Sequence, residues 1–70
     1  MRGQINRYNV DRGFGWIRVE DQIQLEFFHV SQWNGSRLPV AGQKVEFERG
    51  PDRSGRMQAV SVTPIIAEAN

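Results

Sequence analysis

The chain has no cysteine, a single histidine and one lysine, and each scarcity removes a class of chemistry. Without cysteine there is no disulfide scaffold and no thiolate zinc site, a usage that fits a reducing, cytoplasmic compartment. One histidine excludes a His-rich metal centre and most nucleophile–histidine–carboxylate triads. No apolar run approaches the roughly 18–20 residues needed to span a bilayer, and Met1-Arg2-Gly3-Gln4 is not the opening of a secretion signal. Hydrophobic residues at 39% and charged residues at 24% exclude a disordered tail or a collagen-like rod. Seventy residues make one small domain, and a chain of that size buries only about 60% of its unfolded surface. It cannot enclose a large substrate cavity. Its work is expected on its surface, as binding rather than catalysis, with no cofactor and no metal.

Basic residues are present and segregated. Up to residue 18, Arg2, Arg7, Arg12 and Arg18 stand against Asp11, a net +3; residues 19–48 carry Arg37 and Lys44 against Glu20, Asp21, Glu26, Glu46 and Glu48, a net −3. Arg49, Arg53 and Arg56 against Asp52 return +2. Eight of the nine cations are arginine, whose planar fork suits phosphate and whose flat face stacks on bases.

Alternation of period two dominates, and no helical stripe of useful length appears. Five strands are predicted, over about residues 4–8, 14–19, 24–30, 43–49 and 57–63. Turns fall at Asn9 to Gly13, at Glu20-Asp21-Gln22 and at Gly50 to Gly55, and the segment from Gln32 to Pro39 reads as irregular. Pro64 ends the last strand, which sets a domain over residues 1–64 and a tail over 65–70, frayed or in a short helical turn. Five short strands without helices predict a small antiparallel barrel, since closure removes unpaired edges; OB-type and SH3-like barrels both fit.

In the second strand Phe14, Trp16 and Arg18 share one face, and Gly15, Ile17 and Val19 the other. With the aliphatic face inside, where Gly15 lets a tight barrel coil, both rings point outward. In the third strand Phe28 is then the core residue, and Phe27 and His29 face out beside them. Val45 and Phe47, with Val60 and Val62, supply inward pairs on the last two strands. Alternation alone leaves the opposite assignment open, with Phe14 and Trp16 in the core. Exposed flat rings edged by Arg7, Arg12 and Arg18 suit unpaired bases and their phosphates, each stacked base contributing about 1–3 kcal/mol.

The run Arg12-Gly13-Phe14-Gly15-Trp16-Ile17 is similar to the RNP1 pattern of a basic residue, glycine, aromatic, glycine, aromatic and aliphatic residue. A second motif, Phe27-Phe28-His29-Val30-Ser31, follows it. That order, together with Gly3, Ile5, Asn9, Gly42 to Phe47 and Gln58 to Val62, resembles cold-shock domain proteins over about Gly3 to Thr63. The resemblance implies a five-stranded antiparallel OB barrel that binds single-stranded RNA or DNA with low sequence preference and melts weak secondary structure, as an RNA chaperone or regulator. It also implies that Phe14, Trp16, Phe27 and His29 stack on bases, that Arg12 contacts phosphate, and that Tyr8 and Asn9 belong to the same surface. The chain departs from the family pattern at three aromatic positions. Arg7 stands where the family usually has tryptophan, Val30 replaces an aromatic, and Asn34-Gly35-Ser36-Arg37 contains none. Arg7 and Arg37 are the residues able to compensate in part, so a weaker and more salt-sensitive binder is expected. Glu26, on the inward parity where the family usually has an apolar residue, has no explanation at this level.

Trp33 reads as a lid on the barrel end. Arg53 and Arg56 fall on a hairpin tip and read as solvated first and phosphate-touching second, with Arg56 retained as a candidate. Ser31 has no base beside it and reads as a turn residue. The Pro39 to Gly42 loop and the Gly50 to Gly55 hairpin also look like cold-shock domains fused ahead of a small membrane domain, although the chain as given has no spanning segment. The competing class is a degenerate OB or SH3-like barrel that binds a protein segment on the same aromatic patch. A monomer and a strand-exchanged dimer are both open.

Overall fold

The computed structural model describes residues 1–65. Five antiparallel strands are present, β1 (Arg2–Asn9), β2 (Phe14–Val19), β3 (Leu25–His29), β4 (Lys44–Pro51) and β5 (Met57–Pro64). They form one sheet in the order β3-β2-β1-β4-β5. The sheet coils until its ends meet: β3 lies against β5, and Trp33 makes a parallel bridge with Val62. This is the predicted five-stranded OB barrel. The predicted tail begins at Ile65, whose N–H donates to the Lys44 carbonyl at 2.9 Å; residues 66–70 lie outside the described residues.

The core consists of Ile5, Ile17, Val19, Phe28, Val45, Phe47, Ala59 and Val62, with Tyr8 and Trp33 packed against it. The aliphatic face of β2 is therefore inside and the reverse assignment is excluded. The core departs from expectation on β5, where Ala59 and Val62, not Val60 and Val62, are the inward pair. Glu46 faces Thr63 and Glu48 faces Val60, so β5 carries one extra residue there. Ser61 takes it up with a left-handed φ of 52°, and alternation changes phase at that point. Val60 is turned instead towards the bare backbone of Gly50.

A second bulge lies in β1, where Ile5 pairs with Ile17 but Arg7 pairs with Trp16. Asn6 is the extra residue. Strict alternation would place Ile5 and Arg7 on one face; the bulge turns Arg7 outward and Tyr8 inward.

β3 ends one residue earlier than expected, because the His29 side chain caps a single 3₁₀ turn over Val30–Gln32. The β1–β2 turn is fixed by Asn9, whose Oδ1 accepts from the N–H groups of Asp11 at 3.0 Å and Arg12 at 3.1 Å. Gly13 completes that turn at φ 74°, and its carbonyl accepts from Val30 N–H at 2.8 Å, tying the first turn to the end of β3.

Candidate nucleic-acid interface

Register alone gathers the aromatic residues. Phe14 lies opposite His29 and Trp16 opposite Phe27. Directly opposed residues share a face, and their β-carbons lie about 5 Å apart. The inner face of β2 is filled by Gly15, Ile17 and Val19, so the rings of Phe14 and Trp16 stay on the outside, half-buried by one another's neighbours. Phe27 stands between them, its ring centroid 5.5 Å from Phe14 at an interplanar tilt of 39° and 5.2 Å from Trp16 edge-to-face at 70°. Mutual packing holds all three rings in place and leaves part of each wet, which is the preorganisation a stacking surface needs.

His29 is exposed at the margin of this platform. Its Nδ1 accepts from the Ser31 N–H at 3.1 Å and lies 2.9 Å from the Ser31 hydroxyl. The neutral ring therefore carries its proton on Nε2, available to a ligand. Ser31 thus has a ring nitrogen beside it, contrary to its reading as a plain turn residue, because the 3₁₀ turn folds it back over the residue two before it.

The remaining candidates separate. Arg7 is exposed beside Trp16 in the sheet and shares a shallow groove with Tyr8, Asn9, Phe14 and Trp16. Tyr8 is half-buried, its ring 6.1 Å from that of Phe28 and nearly parallel to it, so most of its area belongs to the core. Asn9 uses its side-chain oxygen in the turn that presents the exposed Arg12. A second groove runs from Phe27 and His29 to the β4–β5 hairpin; Arg53, not Arg56, is on its wall. Arg37 is exposed in the irregular loop, where its carbonyl accepts from Trp33 Nε1 at 2.6 Å. That bond holds the Trp33 indole over Gly35, 6.4 Å from Phe28, as the expected lid.

Sequence reasoning passed over Gln58. It is only 6% exposed, and it lines the second groove beside Phe27 and His29. Its polarity among Met57, Ala59 and Val60 at the start of β5 was the available signal. The hairpin that frames this groove is tied by Asp52, whose Oδ1 accepts from the Ser54 hydroxyl, the Ser54 N–H and the Arg56 N–H at 2.8–2.9 Å. The Ser54 hydroxyl first, and then the Arg56 N–H, hold the Asp52 carboxyl below the usual carboxylate range.

Glu26 also finds its explanation. It points inward from β3 and meets Arg49, on the inward parity of β4, with Oε1 3.0 Å from Nη2 and 3.1 Å from Nε. The two charges close the barrel mouth between strands that share no ladder. Among the described residues no group of three His, Cys, Asp or Glu is placed to hold a metal ion, and no helix is long and apolar enough to cross a membrane.

A coiled five-stranded barrel with RNP-like aromatics side by side on its outer face defines a class, and comparison with known proteins agrees. The family model described as the 'Cold-shock' DNA-binding domain matches residues 1–65, and the chain belongs to that family, one of nucleic-acid-binding domains rather than of enzymes. Among individual relatives, it is similar to Cold shock-like protein CspC of Escherichia coli K12, 39% identical over 67 residues that cover 93% of this chain and 96% of the relative. The same figures hold for Cold shock-like protein CspC of Salmonella typhi. Cold shock-like protein CspE of Escherichia coli K12 is 40% identical over 50 residues, 69% of this chain and 72% of the relative.

Proposed function

We propose that the chain binds single-stranded RNA or DNA with low sequence preference, as an RNA chaperone or regulator acting in the cytoplasm. Bases stack on Phe14, Trp16, Phe27 and His29, and Arg7 and Arg12 contact phosphates. The observation that carries this reading is the packing of three rings, 5.2 and 5.5 Å apart between centroids, on one outward face. A surface of that kind gains most from a flat, unpaired partner, and every base has a flat face. Arg7, beside Trp16, has the geometry to stack on a base and pair with a phosphate together. With fewer rings and more guanidinium in the contact, affinity is weaker and falls more steeply with salt.

Tryptophan fluorescence during titration with oligo-dT and oligo-U tests the proposal. Saturable quenching that is absent in Trp16→Phe and weakened about 5- to 150-fold in Phe27→Ala is the expected result, the equivalent of about 1–3 kcal/mol for one stacked base. A folded chain whose fluorescence ignores both oligonucleotides at low salt overturns it and leaves the aromatic face to a protein segment.

A further inference from the structure

The outward face that carries the rings does not stop at them. Gln4 on β1 pairs with Arg18 of β2 on one side and with Lys44 of β4 on the other, and Arg18 pairs in turn with Leu25 of β3. Paired residues share a face, so Leu25, Arg18, Gln4 and Lys44 form one row across four strands, and all four are exposed. The row lies two residues beyond Trp16 along β2 and two before Phe27 along β3, a displacement of about 6.6 Å. Among the described residues the ion pairs are Arg2 with Glu46 and Arg49 with Glu26, so neither Arg18 nor Lys44 is spent on a protein carboxylate. A groove runs along the row, lined by Gln4, Arg18 and Lys44 and bordered by Ile23. Ile23 is 96% exposed and Leu25 40% exposed, apolar surface that the fold leaves wet beside two free cations. The same groove has an acidic lining, Glu20 and Asp21, which follow Arg18 in the chain past the end of β2.

We infer that this row is a further subsite for the sugar–phosphate backbone of a single strand already stacked on the aromatic platform. Arg18 and Lys44 hold consecutive phosphates, and Ile23 and Leu25 give the adjoining base an apolar rest. The acidic lining makes the row the end of the track, because a phosphate carried past it meets Glu20 and Asp21. The subsite rests on the reading above and deepens it: the bound strand extends beyond the RNP-like motifs, towards the β2–β3 turn and the start of β4.

Oligonucleotide length separates the two ideas. The wild-type chain, Lys44→Gln and Ile23→Ser are titrated with oligo-dT of about four and about eight nucleotides, lengths that bracket the smaller sites of such barrels. Both substituted side chains are exposed, and urea midpoints matching wild type verify folding. The wild-type chain is expected to bind the longer strand more tightly. Lys44→Gln is expected to cost about fivefold on the longer strand only and to flatten its log K against log salt slope by about 0.7, the increment for one phosphate on a single strand. Ile23→Ser is expected to weaken the longer strand with no change in slope. Equal affinity of the wild-type chain for both lengths, or variants that affect neither length or both equally, overturns the subsite and leaves the platform standing. A wild-type chain that binds neither length overturns both.

Discussion

A methyl group added at Gly15 would stand 2.8 Å from Cε1 of Phe28 and 2.6 Å from the Arg7 carbonyl oxygen. Neither neighbour can retreat: Phe28 is fully buried in the core, and Arg7 belongs to the adjacent strand. Gly15→Ala is therefore expected to destabilise the fold by about 1–3 kcal/mol, the usual cost of overpacking, read as a lower urea midpoint. Because Gly15 lies between Phe14 and Trp16, any backbone shift that relieves the clash also separates the stacking rings. Oligonucleotide affinity measured below the unfolding transition should fall with stability; unchanged affinity would mean that the platform tolerates the shift. At this scale the sequence was informative. The RNP-like run named both rings and the glycine between them. Gln58, which meets Phe27 and His29 from far along the chain, was not legible, and Ser31 was missed because the 3₁₀ turn that folds it back onto His29 leaves no mark in the alternation.

Each element was legible up to the point where its ladder loses phase. β2, which pairs with β3 without a break and carries no extra residue of its own, was read correctly at both ends and on both faces. β5 was read with the wrong inward pair, because a left-handed serine is invisible to a rule of alternation. Glu26 was opaque for a related reason: its partner Arg49 is 23 residues away, on a strand that joins β3 only through closure of the barrel. The Glu26 side chain is 13% exposed and that of Arg49 is 41% exposed, so the pair lies between the surface and the buried case. Glu26→Ala is expected to cost about 1–2 kcal/mol, above a surface pair and below a buried one. The double replacement Glu26→Val with Arg49→Ile should recover most of that loss in urea denaturation. A double variant no more stable than Glu26→Ala would mean that the charges contribute something an apolar contact cannot. The β4–β5 hairpin carries its own acid dependence. With the folded Asp52 carboxyl held below the usual range, its contribution is complete above about pH 4 and is lost as pH falls through the lowered value. The amide resonances of Ser54 and Arg56 should move together through that acidic transition in the wild type, and the transition should be absent in Asp52→Asn.

For the whole molecule, near-neutrality conceals its working charge. The net charge is +1, yet Arg7, Arg12 and Arg18 lie on or beside the aromatic face, and four of the eight acidic residues, Glu20, Asp21, Glu46 and Glu48, fall in the β2–β3 turn and on β4. Binding should therefore show the salt dependence of a basic surface. For two to four phosphate contacts, log K against log salt should have a slope of about −1.4 to −2.8 on a single strand. A slope near zero in fluorescence titrations across salt concentrations would show that apolar contact alone carries the affinity. Architecture was the most legible property of all, since five alternating segments with turn residues between them have few ways to hide their edges. The seam was not, because Trp33 and Val62 meet only after every strand is in place.

The extra residue in β1 makes the outer surface a matter of phase. Upstream of Asn6, Gln4 is presented to solvent and Ile5 to the core; downstream, Arg7 is presented and Tyr8 withheld. The bulge works as a phase reset. With Asn6 deleted, the strand would be regular and would still present Arg7 and withhold Tyr8; with Asn6 kept but no bulge to absorb it, the guanidinium would turn inward and the phenol outward. The meaning of Arg7 is set as much by how the strand absorbs the residue before it as by its own chemistry.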